Sequence, residues 1–234
     1  PATTGPNGSS TWRCGPGLLA VLTIRSEPAT ACPTPKPHEL IELGGLPIDN
    51  AREMVRLVFA DATMPAGLAR TLADRGDGVP LFLEEAARMA VALSAENKGL
   101  EVSALESVPA SLQDLLMARL DSLGPAKQVA QVAAVVGRDF SGALLMELLG
   151  ASAVAHDGVR MDERMAALVD SGLVRTQGGD TYTFKHALVR DAAYASLWTS
   201  DRLALHARMV MLLREKWPER AALHPELLAL HLTE

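Results

Sequence analysis

The sequence predicts a mostly α-helical protein with one short β-hairpin, and three observations carry that expectation. Ala and Leu are abundant while aromatics make up only 4% of the 234 residues. Both favour helices, whereas strands favour β-branched and aromatic side chains. In SLQDLLMARLDSL, apolar residues stand at 112, 115, 116, 120 and 123, the stripe of a one-sided helix. Two strand-like runs, LVRT and TYTF, flank Gln177-Gly178-Gly179-Asp180, the pattern of a hairpin. With 48% apolar residues, the chain can bury a core.

The elements follow in order. Residues 1–17, rich in Pro, Gly, Ser and Thr, read as a disordered end. Leu18 to Ile24 is a short continuous apolar run, which suits a buried strand of a parallel sheet; HELIEL over 38–43 reads as a second, edge strand. PATACPTPKP between them cannot be helical, because proline removes a donor and clashes with the preceding turn. Asp49 or Asn50 can cap a helix reaching about Ala60. A second helix starts at Pro65 and ends at Gly76, and a third starts at Pro80 with LFLEEAARMAVAL. Residues 94–108 read as a polar linker. Four helices then succeed one another: SLQDLLMARLDSL, broken by Gly124-Pro125; AKQVAQVAAVV; SGALLMELLG, with Ser141 as N-cap; and MDERMAALVDSG, stopped by Gly172. Helices followed by a hairpin are the layout of a winged helix. Helices over 185–198 and 201–216 follow, then one beginning at Pro225, like the start of a helical repeat array.

Charge and motifs narrow the function classes. The net charge is −6, against the basic face of a nucleic-acid binder. No apolar run approaches the ~20 residues of a membrane span. Cys14 and Cys32 lack metal-site spacing, which implies free thiols in a reducing, cytoplasmic compartment. The phosphate loop G-x-x-x-x-G-K-[ST], the G-x-S-x-G elbow and H-E-x-x-H are absent, and no catalytic residue and no metal ligand set is assigned. The chain begins with Pro1 and is read as a fragment without a complete active site.

Four stretches carry a family resemblance: LLAVLTIRSE (18–27), GDGVPLFLEEAARM (76–89), VPASLQDLLMARLDSLGPAKQVAQVAAVVGRDF (108–140) and YTFKHALVRDAAYASL (182–197). Together they resemble STAND-class signalling ATPases, of the kind fused to class III adenylate/guanylate cyclases. The resemblance implies a remnant of the ATPase core over 18–43, a helical lid over 44–98, a winged-helix domain over 109–198 and the start of TPR-like repeats over 199–234. It implies ATP or ADP as ligand, with Mg held by residues outside this chain. It also implies an upstream nucleotide-binding domain and a fused effector as partners, with further protein partners on the repeats. The parent protein would be an ATPase, with cyclase activity where the effector is a cyclase.

The resemblance singles out four residues. Arg25, in Thr23-Ile24-Arg25-Ser26-Glu27, matches an arginine that senses the γ-phosphate, although Ser26 replaces the usual proline; its planar fork suits phosphate oxygens. Gly78 and Pro80 match the G-x-P turn of the lid, where the proline packs on adenine and the glycine permits close approach. Pro80 is equally an ordinary helix-start proline. His186, in F-K-H-A-L-V-R-D, is similar to the histidine of the M-H-D-type motif, which contacts the β-phosphate of ADP; Ala187 replaces the aspartate after it. Asp191 reads as a structural acceptor. The other histidines, 38, 156, 206, 224 and 231, read as scattered surface or packing residues, with His224 and His231 seven apart. The alternative function is a winged-helix or helical-repeat module that binds protein or DNA without nucleotide. Against DNA, the candidate recognition helix Met161 to Ser171 sets Asp162, Glu163 and Asp170 against Arg164, whereas phosphate contact needs Lys or Arg.

Overall fold

Helix formers, caps and breakers place most of the elements where the sequence expects them. A computed structural model describes residues 3–4, 10–11, 21, 41–59, 64–97, 108–154, 159–223 and 225–233. The chain divides into two units, Pro1–Gly44 and Gly45–Glu234. In the first, β1 (Thr3–Thr4) pairs antiparallel with β2 (Ser10–Thr11). The strand expected over Leu18 to Ile24 and Arg25 after it lie outside the described residues. Residues 41–43, the described half of the expected edge strand, are irregular.

The second unit opens with three helices, α1 (Ile48–Phe59), α2 (Leu68–Gly76) and α3 (Pro80–Asn97). The α2 helix starts three residues later than Pro65 suggests. Gly67 is left-handed, with φ of 83°, and the helix begins only after that turn. The α3 helix runs on to Asn97, into the expected linker. Ala51, Val55, Phe59, Leu68, Leu72, Phe82 and Leu83 bury one apolar cluster among these helices.

A second cluster is built from α4 (Leu112–Asp121), α5 (Ala126–Val136), α6 (Gly142–Val154), α7 (Met161–Asp170), α8 (Ala187–Ala195) and α9 (Thr199–Glu215) around a small sheet. Ser111 caps α4, accepting from the Asp114 N–H at 3.1 Å. The α4 helix is not one-sided as the stripe implies. Leu115 joins the first cluster while Leu116 and Leu120 join the second, so this helix is a wall shared by two cores. Ser141 accepts from the Leu144 N–H at 3.2 Å, as the sequence expects of an N-cap. Gly150, with φ of 70°, breaks the helical path where SGALLMELLG was expected to end.

The expected hairpin forms from β4 (Val174–Gly178) and β5 (Thr181–Phe184). A third strand, β3 (Asp139–Ser141), pairs antiparallel with the other edge of β5, giving the order β3-β5-β4. Asp180, in the hairpin turn, accepts from the Ala143 N–H at 2.8 Å and so also caps α6. After α9 come α10 (Pro218–Leu223), which the sequence reading lacks, and α11 (Pro225–Thr233). The described part of the chain is thus mostly helical, with a three-stranded antiparallel sheet. Among the described residues, no helix is long and apolar enough to cross a membrane.

Phe184 is fully buried, its ring 5.4 Å from that of Phe140 across the β3–β5 pair. Phe184→Ala should cost about 3–5 kcal/mol, read as a lowered midpoint in urea denaturation.

Candidate functional site

Three of the four residues singled out in the sequence, Gly78, Pro80 and His186, lie at or beside α3. Its start is fixed by a glycine contact. Asp77 and Gly78 are both left-handed, with φ of 44° and 69°. The Leu46 N–H donates to the Gly78 carbonyl at 2.8 Å. A Cβ on Gly78 would lie 2.6 Å from Leu46 backbone atoms. The close approach that demands glycine here is therefore made by the chain's own backbone at Gly45-Leu46. Pro80 stands exposed at the first turn of α3.

One turn further along α3, Glu84 faces two cations and an imidazole. Lys185 forms an ion pair with it, Arg88 donates to it at 3.1 Å, and His186 Nε2 lies 3.9 Å away. Burial pushes the Glu84 carboxyl up, but the hydrogen bonds from Lys185 and Arg88 outweigh that and hold it below its ordinary range. Lys185 and His186 are set by the sheet. The Phe184 N–H donates to the Arg138 carbonyl and the Lys185 N–H to the Leu173 carbonyl, both at 3.0 Å, and His186 is the N-cap of α8. His186 Nε2 is buried and, among the described residues, has no hydrogen-bond partner. Among the described residues the Glu84 carboxylate, at 3.9 Å, is the charged group that faces it, beyond hydrogen-bond reach.

The neighbouring carboxylate faces a different partner. Glu85 is fully buried and accepts from Arg119 Nε of α4 at 3.0 Å. Arg119 Nη2 also donates to the Ser171 carbonyl at 2.7 Å. The Arg88 guanidinium lies over Gly172, where a Cβ would meet it at 3.3 Å. Thus α3, α4, the turn after α7 and the β5–α8 junction meet in one charged network. A cleft beside it, bordered by Val58, Arg88, Arg119 and Asp170, has about 200 Å³, less than the ~300–1,000 Å³ of ordinary small-molecule sites.

The sequence reading named Gly78, Pro80 and His186 but missed Glu84, Glu85, Arg88 and Arg119. The available signal was a pair of adjacent carboxylates inside the apolar run LFLEEAARMAVAL. Arg25 lies outside the described residues. Arg164 of α7 is buried and donates to the Val159 and Pro125 carbonyls, each at 3.2 Å, so its charge is directed inward, away from any DNA phosphate. Asp191 pairs with Arg190 next to it rather than with His186. Nor are the remaining histidines all scattered: His206 and His231 are buried against each other. His38, His156 and His224 lie outside the described residues. Among the described residues, no group of three or more His, Cys, Asp or Glu side chains is placed to hold a metal.

No protein-family model matches the chain. It is 32% identical over 139 residues to an uncharacterized protein of Rhizobium meliloti (strain 1021), a match that takes in 56% of this chain and 13% of that protein.

Two outcomes follow from the network. Arg119→Leu should destabilise by about 3–5 kcal/mol, because Glu85 is left buried and unpaired, while adding Glu85→Leu should restore most of that loss; urea denaturation of the single and double variants measures both. Glu84 has a depressed pKa in the fold, so its contribution is present above its unfolded value of about 4.3 and is lost as the pH falls through the folded value. The acid-side fall in denaturation midpoint should therefore be shallower in Glu84→Gln than in the natural chain.

Proposed function

We propose that this chain is a regulatory part of an ATP- or ADP-responsive signalling ATPase of the STAND class. In this reading α1–α3 are the lid, residues 109–198 the winged-helix domain and residues 199–234 the first TPR-like repeats. Nucleotide and Mg are held mainly by an ATPase core ahead of the lid. The observation that carries the reading is the meeting of the two motifs that the family resemblance singles out. The helix that starts at Pro80 brings Glu84 to Lys185 and His186, so the lid and the histidine border one charged site.

The order of elements supports the winged helix. Helix α5, strand β3, helices α6 and α7, and the hairpin β4–β5, with β5 central, follow the winged-helix plan of helix, strand, two helices and a wing. The burial of Arg164 and the acidic face of α7 favour a signalling role over a DNA-binding one. Exposed Leu203, Met211, Leu230 and Leu232 on α9 and α11 favour a protein partner at that end.

The residues present fit a phosphate group in part. His186 Nε2 is a buried, unbonded imidazole nitrogen, and imidazole can donate to a phosphate oxygen. Lys185 and Arg88 supply further positive charge. Gly78 does not fit as an approach point for adenine, since Leu46 occupies the face where its Cβ would stand; the exposed Pro80 ring remains for that contact. Glu84 is then the internal competitor. With its carboxylate on Lys185 and His186 the site is closed by the chain itself. A phosphate arriving there must displace it, and that difference in contacts is what biases a two-state element.

The test uses the natural full-length protein and measures ADP affinity by titration calorimetry. His186→Ala should weaken ADP binding at least about tenfold, the loss of one charge-assisted hydrogen bond of about 1.5–3 kcal/mol. Glu84→Gln should tighten it. Unchanged affinity in both variants removes the nucleotide reading and leaves the protein-interaction module.

A further inference from the structure

The function proposed above makes no use of a second buried polar group. His206 of α9 and His231 of α11 are each 3% exposed, and their Nδ1 atoms are 2.8 Å apart. Tyr194 Oη, at the end of α8, lies 3.0 Å from His206 Nε2. The rings are tilted at 48° with centroids 4.9 Å apart. A neutral imidazole offers one N–H and one bare nitrogen, and an imidazolium offers two N–H groups. A bond between two Nδ1 atoms at this distance therefore holds one hydrogen. It forms between two neutral rings, or between one neutral ring and one cation. Two cations would set N–H against N–H, and the bond would be lost along with the burial of two charges.

We infer that the His206–His231 pair is a pH-sensitive clasp, which keeps α11 packed on α9 while the two rings share one hydrogen and releases it when both rings are protonated. The charged side chains on the surrounding elements do not cancel this. Arg202 stands over the Tyr194 ring, 5.2 Å from its centroid, and adds positive charge beside the cluster. The other charged residues of α9 are Asp201, Arg208, Arg214 and Glu215, and those of α8 are Arg190 and Asp191, paired with each other. On α6, Glu147 is bound to Lys216 at 2.6 Å; α5 carries Lys127, paired with Asp121. Glu219 lies in the first turn of α10 and Glu226 in that of α11. A nearby carboxylate can favour one imidazolium, but it makes no room for a second hydrogen between atoms 2.8 Å apart.

The sign of the effect follows from proton counting. The detached helices can bind two protons, the clasped pair at most one, so release takes up protons and is promoted as the pH falls below about 6.5, where free imidazoles charge. One extra proton bound means an opening equilibrium that rises up to about tenfold per pH unit.

Hydrogen exchange of the full chain, read by mass spectrometry at pH 7.5 and 5.5 and corrected for the intrinsic exchange rate, tests this. Peptides from 199–233 should lose about tenfold in protection at pH 5.5 while those from 48–97 keep theirs, and the loss should vanish in His231→Gln, whose amide can hydrogen-bond but does not titrate. Equal protection of 199–233 at both pH values in the natural chain overturns the clasp, as does an undiminished loss in His231→Gln. Should that variant not fold, nitrogen-15 imidazole spectra of the natural chain decide. At least one of the two rings should stay uncharged in the folded protein at pH 5.5; two fully protonated rings with α11 still protected would overturn the proposal.

Discussion

The bond between Glu85 and Arg119 is the interaction on which the rest of the second unit depends. Two apolar clusters meet at α4, where Leu112 packs against both of them. At that seam a carboxylate with no exposure accepts from a guanidinium that also reaches the Ser171 carbonyl. A buried ion pair contributes little net stability, because desolvating both charges offsets their attraction. Its value lies in geometry. Apolar surfaces can slide over one another, whereas a guanidinium bonded at 3.0 Å and 2.7 Å on two sides fixes both the rotation of α3 and the height of the α7 turn.

That fixed rotation separates two adjacent carboxylates. Glu85 faces the seam, and Glu84, a hundred degrees around the helix, faces Lys185, Arg88 and His186. The first is committed to structure because removing its partner strands a charge. The second is paired with two cations, Lys185 and Arg88, and so sits among more positive charge than it carries. The same local sequence thus supplies a carboxylate for the seam and one for the β5–α8 junction, set apart only by helical periodicity.

Much of this fold is legible in the sequence, and the exceptions have physical causes. Pro80, Ser111, Ser141, Gly172 and the Gly-rich turn act within a few residues of themselves, so helix limits and the hairpin can be read directly. Strand β3 cannot, because Asp139-Phe140-Ser141 is extended only by virtue of pairing with β5, forty residues later. The two-faced character of α4 is hidden for a similar reason: Leu115 and Leu116 look like one stripe until two different cores claim them. The candidate site is readable only through its motif residues. Only the Glu84–Arg88 pair, four apart on one helix, is local; Glu85–Arg119 and Glu84–Lys185 join positions 34 and 101 residues apart, and the paired histidines are 25 apart, contacts with no local signature beyond charge or polarity inside an apolar run.

The contact between Gly45-Leu46 and the Asp77-Gly78 turn has a consequence for how this sequence can vary. A Cβ on Gly45 would meet the Asp77 carbonyl at 2.8 Å, and one on Gly78 would meet Leu46 at 2.6 Å. Neither backbone can retreat without the other, since a hydrogen bond ties them. Two positions 33 apart in the chain are therefore a single heritable constraint. A side chain gained at one is tolerated only in a lineage where the other segment has already been rebuilt, and drift at this junction proceeds by paired replacement or not at all.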